Sequence, residues 1–291
     1  MTNLQTNKRV LVIGASGMLG NAVLRLFSQS PGYEALGSVR SSAAQTLLPN
    51  DLRSYLIPGI DVANIDTLIH LFAIARPDIV INCVGLVKQL ADADDPLIAI
   101  PINALLPHRL ARFCAVAGAR FVHMSTDCVF SGERGMYTEM DAADAKDLYG
   151  RSKLLGEVDY PHAITLRTSI IGHELGGAHS LVSWFLRQEG SVKGFKRAIF
   201  SGLPSVEIAR VIRDHVIPHP ELHGLYHVSA APINKFDLLA LVAEAYGKSI
   251  IIKADEQVVI DRSLDSTRFR QVTGFAPKSW PDLIRAMHDF D

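Results

Sequence analysis

The chain has 291 residues, 48% hydrophobic and 20% charged, an ordinary globular balance with room for a sizeable core. Its 29 basic and 30 acidic residues leave a net charge of −1 with no run of one sign, so no nucleic-acid or anionic-membrane surface is marked. Cys83, Cys114 and Cys128 are odd in number and lack metal-type spacing, which argues against a disulfide framework and reads as reduced thiols in the cytoplasm.

Residues 1–9 are polar and lead straight into a strand, unlike a signal peptide. Residues 8–13 hold the apolar run Val10, Leu11, Val12, Ile13, as in a strand buried on both faces of a parallel sheet. Gly14, Gly17 and Gly20 follow, with a helical pattern starting at Met18. Glycines at i, i+3 and i+6 between strand and helix form a variant of the dinucleotide-binding turn. The first permits the turn, the second lets backbone approach a pyrophosphate, and the third lets helix and strand pack. Ser16, Met18 and Leu19 complete that loop, and the helix N-terminus faces the phosphates. Residues 33–39 read as the second strand, ending at Arg40. An acid at that position would take a ribose 2′-hydroxyl, whereas an arginine accommodates a 2′-phosphate, so NADPH is expected over NADH. The alternative is a solvated loop arginine. Ser38, Ser41 and Ser42 lie close enough in sequence to donate to the same phosphate.

Residues 54–57 suggest a short strand, and 59–62 a strand end carrying Asp61 and Val62. Residues 64–76 make an amphipathic helix with Leu68, Leu71, Phe72 and Ala75 on one face. Arg76, Pro77 and Asp78 break the apolar stretch 70–87, which is therefore no membrane span. Residues 79–85, ending in Cys83, Val84 and Gly85, form another buried strand. Asp94, Asp95 and Pro96 open helical material to residue 117, disturbed at Pro101 and Pro107 and carrying Asn103. Residues 119–124 then deliver Ser125 and Thr126 at a strand's carboxyl end. This rhythm predicts an α/β fold, a doubly wound parallel sheet of the Rossmann type. Such sheets bind ligands where their strands end. The glycine loop, Asp61, residues 82–85 and Thr126 all lie at such ends.

A long loop at 130–148, rich in Gly and Asp, leads to a helix expected over 149–159. On it Tyr149 and Lys153 stand four apart, on one face. An ammonium beside a phenol favours the phenolate, and a free tyrosine titrates near ~10, so the pair, with Thr126 or Ser125, predicts a phenol tuned toward neutral pH. Such a phenol suits a carbonyl that is receiving a hydride. The spacing alone is common; its weight comes from the strand ends around it. After a sixth strand at 163–167 the pattern changes, with helices at 181–188 and 206–216 and a strand at 224–228, and segments 234–246, 249–253, 266–273 and 279–287 complete a mixed tail. Residues 1–167 are thus expected to form the dinucleotide-binding domain, and 168–291 a smaller mixed α/β substrate lobe interleaved with the last sheet strands. His215, His219, His223 and His227 recur every four residues, but Pro218 and Pro220 interrupt any helix there, so no metal is expected.

Three segments carry a family resemblance: Gly14-x-x-Gly17-x-x-Gly20, the run from Met124 through Ser125-Thr126-Asp127-Cys128-Val129-Phe130 to Gly132, and Tyr149-Gly150-Arg151-Ser152-Lys153-Leu154-x-Gly156-Glu157. With these the chain resembles the extended short-chain dehydrogenase/reductases, and among them the dTDP-4-dehydrorhamnose reductases of sugar-nucleotide and surface-polysaccharide synthesis. The resemblance implies that Tyr149 donates the proton, Lys153 binds the nicotinamide ribose and tunes the tyrosine, and Thr126 holds the substrate oxygen. It also implies that Asp61 and Val62 contact adenine, Cys83, Val84 and Gly85 border the cofactor, and Asn103 supports the site. Cys128 stands where the family often has tyrosine, and Ile170 where it commonly has tryptophan. Its Asp-Gln-x-Gly segment is replaced by residues 193–204. The sugar therefore stays open.

The expected function is reduction of a nucleotide-linked keto-deoxysugar by NADPH. Ser125, Thr126, Tyr149, Trp184 and Arg187 would contact the substrate, and Phe185, Lys193, Lys196 and Arg197 would extend a basic aromatic clamp. A solvated basic face over core aromatics is the plain alternative. Runners-up are an epimerase or dehydratase, with Asp127 as its acid/base, and a non-catalytic Rossmann regulatory subunit. No nucleic-acid or membrane partner is expected, and a homodimer is left open.

Overall fold

The structure is a computed structural model that describes residues 7–86 and 94–290. The start of the N-terminal lead and Val87, at the end of the apolar stretch, lie outside the described residues. Strands β1 (Lys8–Ile13), β2 (Tyr33–Ser38), β3 (Leu56–Ile57), β4 (Ile79–Asn82), β5 (Arg120–Thr126) and β6 (Ala163–Thr168) belong to one sheet. Short strands β7 (Ile170–Ile171), β8 (Ser191–Phe195), β9 (Ala198–Phe200) and β10 (Leu203–Pro204) follow. Then come β11 (Gly224–His227), β12 (Ile233–Asn234), β13 (Ile251–Asp255) and β14 (Ile260–Asp261). The main sheet runs β11-β6-β5-β4-β1-β2-β3, parallel throughout.

The apolar run of β1 shows why the sheet is covered on both sides. Successive residues point to opposite faces. Val10 and Val12 join one buried cluster, with Leu24, Phe27, Ile208 and Leu283, whereas Leu11 and Ile13 join the other, with Leu68, Leu71, Leu110 and Phe121. Burying each such side chain contributes ~1.5–3 kcal/mol. The expected doubly wound α/β sheet is therefore what these residues build. The strand order reverses between β1 and β4, and the crevice outside their carboxyl ends is where such sheets take ligands.

The C-terminal residues do not stand apart from this core. β11 extends the main sheet beyond β6, and Ile208, Trp280 and Leu283 share a cluster with residues of β1 and the Met18–Ser28 helix. The remaining strands make three small sheets, β10-β7, β12-β9-β14 and β13-β8.

Several boundaries differ from the sequence reading. Ser54 and Tyr55 lie in a 3-10 helix, Asn50–Tyr55, so only Leu56–Ile57 is strand. The helical stretch from residue 96 divides into Pro96–Ala99, a π segment Ile100–Leu105, and Leu106–Ala117, with Pro101 and Pro107 near the junctions, each removing a backbone donor. The helix bearing Tyr149 and Lys153 is Leu148–Leu155, four residues shorter than its expected end at 159. Gly156 ends it in close contact, since a Cβ there would lie 2.0 Å from the Asn103 carbonyl oxygen. Strands β7, β9, β10, β12 and β14, of two or three residues each, are too short to show alternation, and β8 carries Lys193 and Gly194 in the stretch read as a basic clamp.

His123 and His227 are both fully buried. Burial holds the His123 imidazole well below its ordinary value, helped by Lys153 and His108. Burial and then Arg167 push His227 down to about 4. Neither takes a proton in the folded state near pH 5, whereas both do when unfolded, so stability is full above ~6.5 and falls with acid. Each histidine costs roughly 1.4 kcal/mol per pH unit below that point, down to its folded value. Urea midpoints at pH 7.5, 6 and 5 test this. His227→Gln should flatten the slope, and an unchanged slope would remove His227 from the account.

Candidate functional site

The chain turns at Gly14, where φ is +85° and a Cβ would lie 2.7 Å from Val84 Cγ2. Only glycine fits, because the end of β4 closes against the end of β1. Cys83 N–H also donates to the Ile13 carbonyl at 3.0 Å. Gly17 is the N-cap of the Met18–Ser28 helix, with no side-chain cap and no acidic residue in the first turn. A Cβ on Gly20 would meet the Gly14 carbonyl oxygen at 2.1 Å, so strand turn and helix are pressed together. An uncapped helix N-terminus reached only over glycine backbone fits a dinucleotide pyrophosphate. Ser16 and Met18 flank this loop half-buried, and Leu19 packs into the core. Arg40 is exposed beyond β2. Ser38 departs from the expectation: its buried hydroxyl accepts from Gly14 N–H at 3.3 Å and braces the glycine loop. Ser41 caps the Ser42–Gln45 helix. Asp61 accepts from Ala63 N–H at 3.0 Å, with Val62 half-buried beside it.

β5 ends at Thr126, whose side chain lies beside the Tyr149 phenol and lowers its titration. The Thr126 hydroxyl also donates to Asp127 Oδ1 at 3.1 Å and accepts from Cys128 N–H at 3.1 Å, which fixes its rotamer. Lys153 is 5% exposed and donates from Nζ to the Met124 carbonyl at 2.7 Å. A Cβ on Gly85 would lie 3.6 Å from both Lys153 Nζ and Asn103 Oδ1. The Asn103 amide accepts from Leu86 N–H at 3.0 Å and donates to Ser152 Oγ at 3.1 Å, tying the loop after β4 to the Tyr149 helix. Asp147 caps that helix, accepting from Gly150 N–H at 2.7 Å. Thr126, Tyr149, Lys153, Gly85 and Asn103 thus gather at one corner.

The electrostatics correct the sequence argument. Burial raises the Tyr149 phenol above its usual value, Cys128 adds to this, and only the Thr126 hydrogen bond pulls it notably back. Lys153 is itself lowered to about 8 by burial, with Glu157 pulling it back up. A desolvated ammonium donating to a backbone carbonyl does little for its neighbour, so desolvation outweighs the ion–phenol attraction. Tyr149 is held as the neutral phenol. The Ser125 hydroxyl, expected on the substrate side, donates to Glu157 Oε1 at 2.6 Å.

The RmlD substrate binding domain model matches residues 8–288. The chain belongs to that family. It is an RmlD-like member of the extended short-chain dehydrogenase/reductases, as the three motifs implied. A probable low-salt glycan biosynthesis reductase of Haloferax volcanii is 32% identical over 60% of this chain, a match spanning 57% of that relative. Methionine adenosyltransferase 2 subunit beta of Danio rerio is 30% identical over 86% of this chain and 78% of its own length. A hypothetical dTDP-4-dehydrorhamnose reductase of Sulfolobus tokodaii superposes with a TM-score of 0.76 at 27% identity, covering 94% of this chain and 98% of that one. The NADP complex of a Bacillus anthracis dTDP-4-dehydrorhamnose reductase, 21% identical, shares the fold with a TM-score of 0.78 over 97% and 99% of the two chains.

In this RmlD-family chain, sequence reasoning missed what the C-terminal residues bring to Asp127. Asp127 is buried and its carboxyl is raised by burial, offset by Arg262 and by hydrogen bonds with Cys128, Thr126 and Ser169. Lys235 is lowered by burial, with Asp127 and Cys128 opposing the shift. The Arg262 guanidinium donates to the Phe130 carbonyl at 2.8 Å. Asp127 sits within a recognised motif and was open to notice. Lys235 and Arg262 carry no local signal, because long-range packing alone places them there.

The expected clamp is not assembled by any bond to this corner. Trp184 is 37% exposed on the Leu181–Leu186 helix, Phe185 is in the core, and Arg187 donates to the Gly177 carbonyl at 2.8 Å. Lys193 pairs with Asp255 at 2.9 Å, and Lys196 lies 5.1 Å from the Phe236 ring centroid. The four spaced histidines part as well: His215 meets the Thr273 carbonyl, His219 Glu221, His223 Asp159, and His227 the Tyr137 carbonyl. Among the described residues no helix is long and apolar enough to cross a membrane.

Proposed function

We propose that this chain reduces the keto carbon of a nucleotide-activated deoxysugar, with NADPH as reductant. The observation that carries the reading is that the loop after β4 touches both Gly14, in the turn leading to the uncapped helix N-terminus, and Lys153, beside Tyr149 and Thr126, at the carboxyl ends of the strands. The cofactor would supply the hydride; the protein's task is to hold the carbonyl oxygen and protonate it. Thr126 fixes that oxygen, Tyr149 delivers its phenolic proton as negative charge grows, and Lys153 orients the ribose. Gly14, Ser16, Gly17, Met18, Leu19 and Gly20 would take the pyrophosphate. Asp61, Val62, Cys83, Val84 and Gly85 would border the adenine and nicotinamide halves, with Trp184 and Arg187 on the substrate side. In this reading residues 1–167 carry the cofactor and 168–291 the sugar nucleotide, and the enzyme works in the cytoplasm. A homodimer belongs to the same reading.

The likeness to an adenosyltransferase beta subunit favours one second reading, a Rossmann subunit acting through a partner enzyme. Stoichiometry separates the two. A reductase consumes one NADPH per 4-keto sugar nucleotide reduced. An epimerase or dehydratase shows no net consumption, and a pure subunit neither turns over nor purifies without its partner. Arg40 adds a selectivity test. A charge-assisted contact of roughly 1.5–3 kcal/mol predicts a tenfold to hundredfold preference for NADPH over NADH. Arg40→Ala should erase it, and equal use of both cofactors by the parent protein ends that assignment.

A further inference from the structure

The spacing that picked out Tyr149 and Lys153 continues to a third residue. Glu157 lies four beyond Lys153, just past the helix end, with its N–H on the Leu154 carbonyl at 3.1 Å. These three residues engage three consecutive residues at the end of β5. Tyr149 lies beside Thr126, Lys153 Nζ donates to the Met124 carbonyl at 2.7 Å, and Glu157 accepts from the Ser125 hydroxyl at 2.6 Å. Glu157 also receives a two-point grip from Arg167 at the end of β6, Nε to Oε1 at 2.7 Å and Nη2 to Oε2 at 2.7 Å. Arg167 is backed in turn by His227 Nε2 at 3.3 Å, and its guanidinium carbon lies 5.2 Å from the Phe130 ring centroid. Side-chain exposures of 5% for Arg167 and 11% for Glu157 mean that this pair is desolvated, so its field is weakly screened.

We propose that Glu157 is a positioning residue for the reaction: it clamps the end of β5 against the Tyr149–Lys153 helix and serves as the countercharge that keeps Lys153 an ammonium, with Arg167 holding its carboxylate in place. The inference deepens the reductase reading by assigning the group behind Lys153. Glu157 opposes the downward pull of burial on that lysine. Around Lys153 stand Tyr149 on its own helix and His123 on β5, with His108 near it on the Leu106–Ala117 helix; His123 is held neutral. Around Glu157 stand Arg167 and, behind it, His227. Lys153 and Glu157 are bonded to adjacent residues of β5, Met124 and Ser125, which sets the carboxylate to support the ammonium. An exposed Glu at this position would be screened and would contribute little.

The test is the titration of Lys153 itself, read by NMR of lysine labelled at Cε, with the signal assigned by its absence in Lys153→Arg. Glu157→Gln keeps the shape and removes the charge. Glu157→Gln/Arg167→Met removes both charges and avoids a buried, unpaired guanidinium. The titration midpoint of Lys153 should move to lower pH in both variants. With NADPH and a keto sugar nucleotide, the deficit relative to the parent should widen on the order of fivefold between pH 6 and pH 8. A purely structural anchor would instead lower turnover by the same factor at every pH. An unmoved or raised midpoint in folded protein overturns the proposal, as does failure of both variants to fold. A parent that oxidises no NADPH would end the reductase reading, while the NMR titration still decides the role of Glu157.

Discussion

Tyr149→Phe should keep its fold and its dinucleotide affinity and lose at least ~10²-fold in turnover, the usual scale for a removed general acid. That factor corresponds to about 2.7 kcal/mol of transition-state stabilisation. The substitution deletes one oxygen from a ring held among Thr126, Cys128 and Asp127, so little else changes. Because burial raises the phenol, Tyr149 stays protonated through neutral and mildly alkaline pH. A reductase needs its proton at the start of each turnover, and this environment supplies it. The pH profile of the parent should therefore show no limb from phenol ionisation below pH 9. Near-parental NADPH oxidation by Tyr149→Phe would remove the mechanism and leave only the fold.

Lys153→Met should be nearly as costly, through two routes. The variant fills almost the same volume but cannot donate to the Met124 carbonyl at the end of β5. Losing this charge-assisted bond costs ~1.5–3 kcal/mol and loosens the strand end that presents Thr126. The variant also loses the ammonium assigned to the cofactor ribose. Dinucleotide affinity and turnover should fall together, with kcat/KM down by ~10²-fold or more. Since Lys153 titrates at about 8, the parent should lose activity as pH rises through that value, and the variant should lack this limb. Fluorescence titration with NADPH and a pH series of kcat/KM provide the check. A variant that binds and turns over like the parent contradicts both assignments.

Sequence reasoning was strongest where chemistry is local. Gly14, Gly17 and Gly20 signal backbone that must pass close to other backbone, and the contacts at Gly14 and Gly20 bear this out. The apolar run of β1 implied a sheet covered on both faces, since no exposed strand would carry four consecutive aliphatic residues. A spacing of four put Tyr149 and Lys153 on one helix face, as period alone requires. The same period ran on to Glu157, although nothing local said what Glu157 would meet.

What the sequence by itself determined was the doubly wound sheet, the glycine cradle and the Tyr149–Lys153 helix face, because strand alternation, helical period and glycine backbone freedom act over a few residues. The tertiary structure alone decided the rest. It set the Ser125 hydroxyl on Glu157, kept the Tyr149 phenol protonated by burying it, and brought Lys235 and Arg262 from the C-terminal residues to Asp127. Desolvation and charge pairing depend on which distant segments pack together, and no short-range pattern along the chain records that.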